Sequence, residues 1–469
     1  MIKRKTVLVV VLFFFYVIHG FAQNNNYMVL PLKDFIAKLK QHHPLARVAA
    51  ITEEKAVANI QIAKGSFDPI LDVETNAKTF DGKNYYRYNN AEIKVPLPIG
   101  DFKTGIENNV GQFLNNEVTT GRNSYAGVEI PLAKGLLIDK RRAALQQANI
   151  ALNENRQQRN MMINDLLLDA YTSYNDWAGA YKLYSIFSEY VTVSAARLNL
   201  VKIGFANGDR AAMDTTEAFI QMQNFMLMQN EANMALNSAI YQMNNFIWDE
   251  KKTAQQLADN VIPDTVILTE RLPQQFLLNL LNESNTANPF LLQYRYKIEG
   301  LKVERKLKFQ QLLPEINAKA SLLNRDFNPL KNAGIPLLEN NNRWGIAIKI
   351  PLFFRQGRGE YKMANLKLEE NRLYLQQKIV ETDNKIKDYF NRVTILQTQI
   401  TTANSALINY NTLLRNELLR FSNGESSLFL VNSRENKVLE IKQKIIELQV
   451  KLLKATYTLN WASGLLNRQ

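Results

Sequence analysis

Ala148-Asn149-Ile150-Ala151-Leu152-Asn153-Glu154-Asn155-Arg156 returns 216 residues later as Ala364-Asn365-Leu366-Lys367-Leu368-Glu369-Glu370-Asn371-Arg372, with six identities in nine. The same offset carries Phe205-Ala206-Asn207-Gly208-Asp209 onto Phe421-Ser422-Asn423-Gly424-Glu425, and Ala239, Tyr241 and Asn244 onto Ala455, Tyr457 and Asn460, so about 97 residues repeat without insertion or deletion. Upstream, Pro44 and Pro69 pair with Pro289 and Pro314 at an offset of 245, while Pro131 pairs with Pro351 at 220, which leaves 25 extra residues in the first half. A period this long marks a duplicated half-structure rather than a solenoid unit.

Between Leu137 and Val201 there is no proline, and only Gly179 interrupts the helix formers. At 1.5 Å per residue this predicts roughly 100 Å of helix. The second half repeats the pattern from Gly359 to Phe421. Each long helix runs to a glycine, Gly208 or Gly424, where a helix stop requires positive φ. A shorter helix of about 35 residues returns from each turn, and a third of similar length is expected at Leu32 to Lys64 and at Gln275 to Leu312. On the second return helix Val438, Ile441, Ile445, Leu448, Leu452, Ala455 and Leu459 form a heptad seam; Met222, Phe225, Gln229, Ala232, Leu236, Ala239 and Met243 are its counterpart. A seam so narrow predicts a helical wall that is polar on both sides. An ordinary long coiled coil accounts for the periodicity equally well.

The segments between the helices separate those two readings. Leu71 to Thr79 and Ile316 to Leu322 alternate strictly between apolar and polar residues, and Ala126, Val128, Ile130 and Ile346, Ile348, Ile350 do the same. Short strands with one apolar and one charged face are what a transmembrane barrel needs, with Tyr85, Tyr86, Tyr125, Trp344, Phe353 and Phe354 placed to supply interfacial aromatics. The extra residues alternate too: Ile93, Val95, Leu97, then the turn-like Pro98-Ile99-Gly100-Asp101, then Phe102, Thr104, Ile106. Two added strands and a long external loop are both open readings, and two strands would preserve the sidedness of both barrel ends. Few strands per chain cannot close a conducting barrel, so several copies are expected.

At the amino end Lys3, Arg4 and Lys5, the apolar run Thr6 to Ile18 and Gly20-Phe21-Ala22 have the form of a cleaved export signal, too short to span a bilayer. Its removal leaves 54 basic against 44 acidic residues, a net +10. The basic residues are dispersed among acidic and amide neighbours, the pattern of a solvated helix surface rather than of nucleic-acid binding. With no cysteine there is neither a disulfide framework nor an N-terminal lipid anchor. His42 and His43 read as a surface pair on a helix rather than as metal ligands, and no catalytic constellation, metal site or cofactor motif stands out, so an enzyme is not expected.

The order helix, strands, long helix, glycine turn, helix, all duplicated, resembles the TolC family of outer-membrane efflux proteins over essentially the whole exported chain. The matching residues are Pro69 and Pro314 where the strands begin, Pro131-Leu132 and Pro351-Leu352 where they end, Gly204, Gly208, Asp214 and Ala218 at the first hairpin, and Gly424 at the second. The resemblance implies a mainly α fold with a β-barrel part: duplicated long-helix hairpins forming a trimeric α-helical barrel joined to a transmembrane β-barrel in outer-membrane lipid. It also implies a homotrimer whose hairpin tips meet a periplasmic adaptor (membrane fusion) protein and, through it, an inner-membrane pump of the resistance-nodulation-division or ABC type. The chain would be the passive exit duct of a tripartite efflux or type I secretion system. The alternative is a periplasmic structural coiled coil or adaptor without a membrane barrel.

The expected divisions are a signal peptide (1–22), the first tunnel helix (23–68), first-half strands with the insertion (69–131), long and return helices (132–249), and a linker (250–274). A second-half helix (275–313), second-half strands (314–352) and the second long and return helices with a short tail (353–469) follow. At the entrance the sequence departs from the family, whose members carry acidic residues six and nine places after the second hairpin glycine. Here those places hold Leu430 and Ser433, while the matching places of the first hairpin hold Asp214 and Glu217. Asp214 reads either as a gate residue or as a helix N-cap. Its usual basic partner position is Ser426, with Arg210, Arg420 and Arg434 as substitutes. Leu430 facing the axis would make a hydrophobic constriction.

Overall fold

The computed structural model describes residues 27–270, 275–327 and 340–468; the expected signal peptide lies outside them. In order, the elements are β1 (Met28–Leu30), α1 (Leu32–His42), α2 (Pro44–Gly65), β2 (Ile70–Phe80), β3 (Lys83–Leu97), β4 (Gly100–Val110), β5 (Gly121–Pro131), α3 (Lys140–Ala206) and α4 (Ala212–Asn244). Then come β6 (Val261–Pro263), α5 (Leu277–Ala287), α6 (Pro289–Phe309), β7 (Glu315–Arg325), β8 (Asn342–Lys349), α7 (Arg355–Ser422) and α8 (Leu428–Ala462). The long helices α3 and α7 have 67 and 68 residues. Among the described residues no helix is long and apolar enough to cross a membrane.

The third helix of each half is not continuous. His43 and Asn288 take extended backbone, φ −66 and ψ 132 and φ −65 and ψ 120, and the chain restarts at Pro44 and Pro289. The residue before a proline is pushed out of the helical region, whereas proline itself fits the first helical turn. Asn288 caps α6 by accepting the Phe290 N–H at 3.0 Å.

The chain forms two compact units, one made of residues up to Ala46 with Asp165–Gln275 and Lys387–Trp461, the other of Arg47–Asn164, Phe276–Ile386 and the residues from Ala462. In the first unit the return helix α8 buries two faces. Ile445 and Leu448 pack with Ala403 of α7, while Leu439 joins Phe187, Tyr190 and Phe225. The expected narrow seam is thus too narrow: α8 sits between both long helices and needs Leu439, Ile446 and Leu453 buried as well as Val438, Ile445 and Leu459. On α4 the seam residues Phe225, Ala232, Leu236, Ala239 and Met243 are buried, together with Gln221. Gly179 of α3 lies against α8 so closely that an added Cβ would meet Val450 Cγ2 at 2.6 Å.

This unit is tied at a small knot. β1 and β6 pair in parallel, and Tyr174 Oη donates to Leu30 O at 2.7 Å and accepts the Asp264 N–H at 3.0 Å. Phe35 stacks on Tyr174, and Trp177 closes the cluster edge-on. His43 is buried rather than a surface residue. Its ring lies against Phe246 and Trp248, Nδ1 accepts the Leu45 N–H at 3.2 Å, and Nε2 donates to Asn245 O at 3.3 Å. Spent on these two bonds in an aromatic pocket, the ring is held below its usual pKa chiefly by burial.

In the second unit six strands form one antiparallel sheet in the order β2-β3-β4-β5-β7-β8. The inserted residues lie inside the ladder: β3 pairs with β2 on one side and with β4 on the other. The two halves join where β5 pairs with β7.

Candidate functional site

Two places carry the chemistry expected of this chain, the two-faced sheet and the hairpin tips, each within its own unit.

In the sheet, register assigns every side chain to a face. Asp72, Glu92 and Gly105 share a rung, as do Asp101 and Glu129, and Glu129 and Lys319. On this polar face Lys94 meets Asp101 at 2.9 Å, Lys103 meets Glu129 at 2.9 Å, and Lys319 meets Glu129 at 3.5 Å. The ladder continues into α3, where Arg141 donates to Asp101 at 2.7 Å. A concave space of about 840 Å³ lies over it, lined among others by Glu92, Lys103, Tyr125, Lys319 and Arg343. Tyr125 is not an interfacial aromatic. It lies on the polar face, is buried, and donates to Glu92 at 2.8 Å. Tyr86 also sits on that face, stacked on Tyr88 at 4.6 Å.

The opposite face is apolar and open. Leu71, Val73, Ile346 and Ile348 are 67%, 66%, 58% and 63% exposed, and Trp344 is 74% exposed. Leaving so much apolar strand surface in water is costly at about 25 cal/mol per Å². A sheet whose polar face carries a run of ion pairs across β3, β4, β5 and β7 while its apolar face is bare is suited to lipid on one side and water on the other. Pro69 and Pro314 immediately precede β2 and β7, Pro131 ends β5, and Pro351 follows β8. Proline lacks the N–H that a ladder needs, so each marks a boundary of the sheet.

At the tips, the two glycine turns are alike. Gly208 and Gly424 have φ +82 and +78. The N–H of Asp209 donates to Gly204 O at 2.8 Å, and that of Glu425 to Arg420 O at 2.9 Å. Gly208 and Gly424 donate to Phe205 O and Phe421 O. This is the Schellman termination, which requires a left-handed residue at the glycine. Gly204 has no positive φ; an added Cβ there would touch Arg210 Cγ at 3.0 Å.

Asp214 is not an N-cap. Ala211 holds that position without a side-chain bond, and Asp214 lies in the first helical turn, where its charge complements the helix dipole. Among the described residues it makes no ion pair, and the three candidate partners are engaged elsewhere. Arg210 lies over the Phe421 ring at 4.2 Å, Arg420 reaches Glu425 O at 3.5 Å, and Arg434 approaches Glu417 at 3.8 Å. Leu430 is 38% exposed, and Ser433 is exposed beside it on α8. Glu217 accepts from Asn432 at 3.3 Å.

The stronger polar contacts lie just above the turns. Arg197 of α3 donates twice to Glu435 of α8, at 2.6 and 2.7 Å, and once to Asn432 at 3.4 Å. Gln221 of α4 donates to Asn436 at 2.7 Å. The Glu435 bonds raise the Arg197 pKa further. These bonds, with Leu198, Val201, Ala218 and Leu428 packed between them, fasten the first hairpin to the second.

The model of the outer membrane efflux protein family matches residues 35–244. Among solved structures, the outer membrane protein VceC of Vibrio cholerae is 15% identical, covers 92% of this chain and 96% of its own, and superposes with a TM-score of 0.62. The open-state outer membrane channel MtrE of Neisseria gonorrhoeae is 14% identical over 94% and 91%, with a TM-score of 0.65. The Campylobacter jejuni outer membrane channel CmeC is 12% identical over 93% and 86%, at 0.63. At such identities the likeness is one of fold, helical with a β part. No curated protein sequence matches the chain.

Proposed function

We propose that this chain, which belongs to the outer membrane efflux protein family, is one subunit of a homotrimeric outer-membrane channel. The channel is the passive exit duct of a tripartite efflux or type I secretion system. The observation that carries this reading is the division of the sheet into an exposed apolar face and a charged face. Each edge strand, β2 and β8, has one partner among the described residues, so the sheet remains open within one chain. Three copies of six strands give about 18, a number at which closed barrels hold an aqueous lumen. Closure also removes the free edges that a lone sheet would expose. A periplasmic coiled coil or adaptor leaves the exposed face of the sheet unexplained.

In this reading the tips are the periplasmic entrance, where an adaptor couples the duct to a pump of the resistance-nodulation-division or ABC type. Gly208 and Gly424 set the turns, and Asp214, Glu217, Leu430 and Ser433 are the side chains presented there. With leucine and serine at the second tip, closure rests on packing and on the hairpin contacts more than on a ring of carboxylates. The channel supplies a path, and the pump supplies the work. Fractionation tests the proposal: a heat-resistant trimer in outer-membrane vesicles that conducts ions in a planar bilayer is expected. Recovery of the chain from the soluble periplasm as a monomer overturns it.

A further inference from the structure

On the apolar face of the sheet the distribution of charge is lopsided. Every strand carboxylate, from Asp72 and Glu74 in β2 to Glu315 in β7, belongs to the polar face by register. So do Lys94, Lys103 and Lys319. Among the described strand residues, apart from Lys83 at the β2–β3 hairpin, the cations on the apolar face are Arg87 and Arg122. Both are exposed, and neither forms an ion pair among the described residues. Arg87 shares a rung with Val110 and Ala77; Arg122 shares one with Asn108, which faces Asn89. They stand two strands and two residues apart, about 12 Å by strand spacing and rise. Both lie at the end of the sheet remote from the helices, whereas the helix end of the same face carries Leu71, Ile130, Ile316 and Ile348. Arg122 lies over the Phe327 ring at 5.4 Å.

We propose that Arg87 and Arg122 bind the phosphate groups of glycolipid in the outer leaflet. This inference rests on the barrel reading above, which directs the apolar face to lipid. A guanidinium forks onto phosphate oxygens with two parallel N–H bonds, and its charge is permanent. Placed at the headgroup level it escapes the cost of a cation in the hydrocarbon; the carboxylate next to Arg122, that of Asp326 just past β7, accepts the Phe327 N–H at 2.9 Å and forms no ion pair with it among the described residues. The amides of Asn89 and Asn108 lie on the rung of Arg122, next to that of Arg87 on this face, and extend the polar margin. The acyl chains then run down the exposed apolar band toward Ile106, Val128 and Ile346.

The test uses the full trimer in detergent, first checked for bilayer conductance. Native mass spectrometry then compares binding of a bisphosphorylated, multiply acylated glycolipid with its dephosphorylated form, for the wild type and for the Arg87→Gln/Arg122→Gln double variant. The wild type is expected to prefer the phosphorylated lipid about tenfold, and the double variant to lose that preference while conducting as before. Equal binding of both lipids by the wild type, or an undiminished preference in the variant, overturns the proposal. So does inorganic phosphate binding at these arginines without a lipid preference. A trimer that fails to conduct fails the barrel reading instead.

Discussion

Removing Arg197 leaves Glu435 with a side chain 6% exposed and without its cationic partner. Breaking one side of a buried pair costs about 3–5 kcal/mol, because the remaining charge is stranded. Arg197 is itself 19% exposed, so water reaches the site from its end, and the lower figure, about 3 kcal/mol, applies. At about 1.4 kcal/mol per factor of ten, Arg197→Ala shifts local opening of the tip about 100-fold. Glu435→Ala costs less, about 2 kcal/mol, since the arginine left behind keeps Asn432 and partial hydration. The double replacement Arg197→Met/Glu435→Leu removes both charges and fills the space, so it is expected to fall within a few-fold of the wild type. Hydrogen exchange at amides of residues 194–201 and 428–436 measures the shift directly. Wild-type protection in Arg197→Ala, or a double variant as loose as the single, refutes the assignment of this pair as the clasp between the hairpins.

Other perturbations separate the remaining claims. Gly208→Ala and Gly424→Ala force an L side chain to φ near +80 and are expected to cost about 1–2 kcal/mol each in thermal unfolding. Gly204→Ala, free of that strain, should cost less; equal costs would contradict the Schellman assignment. Ile346→Lys on the exposed apolar face should cost about 2 kcal/mol or more and deplete the heat-resistant trimer. Ser321→Lys on the polar face should not, and equal losses would dissolve the distinction between faces. For His43 the folded pKa is lowered, so the unfolded chain takes up the proton first as pH falls below about 6.5. Stability is therefore full above that value and declines as pH drops through it, and His43→Phe should flatten the decline of unfolding temperature between pH 7.5 and 5.5.

What was legible in the chain is what local physics forces. A left-handed helix stop favours glycine, so Gly208 and Gly424 are visible from spacing alone. Strand alternation has a period of two, so the faces of β2, β5, β7 and β8 follow from counting, and so do those of β3 and β4 within the insertion. Tyr125 breaks a looser rule: an aromatic near a strand end suggests an interface, yet its alternation with Ala126 and Val128 already assigns it to the polar face. The kinks at Pro44 and Pro289 carry a signal too, but a proline also fits a helix start, and one extended residue scarcely disturbs a periodic pattern. Arg197 and Glu435 are 238 positions apart and His43 and Asn245 202, and no spacing connects them. Such contacts exist only after the helices pack, which is why the clasp above the tips and the burial of His43 belong to structure rather than to pattern.

The insertion has a consequence that can be measured. The halves are duplicates, yet to the six-stranded sheet the first supplies four strands and the second two. The extra pair, β3 and β4, is a hairpin, so β2 and β5 still run antiparallel to each other and keep their faces. Excising Lys83–Val110 therefore allows β2 to pair directly with β5, giving four strands per chain and 12 in the proposed trimer instead of 18. Barrel diameter grows roughly linearly with strand number, so the excised variant is expected to be about two-thirds as wide at the membrane. The cut also removes Asp101 and Lys103, leaving Arg141 and Glu129 with fewer partners, and a less stable trimer is expected alongside the narrower one. Width is the proper readout, because conductance is governed by whichever stage of the duct is tightest. Electron micrographs of the two trimers in identical detergent decide the matter: an unchanged barrel width would mean that β3 and β4 do not belong to the wall, and that the ladder seen within one chain is rearranged when three chains close.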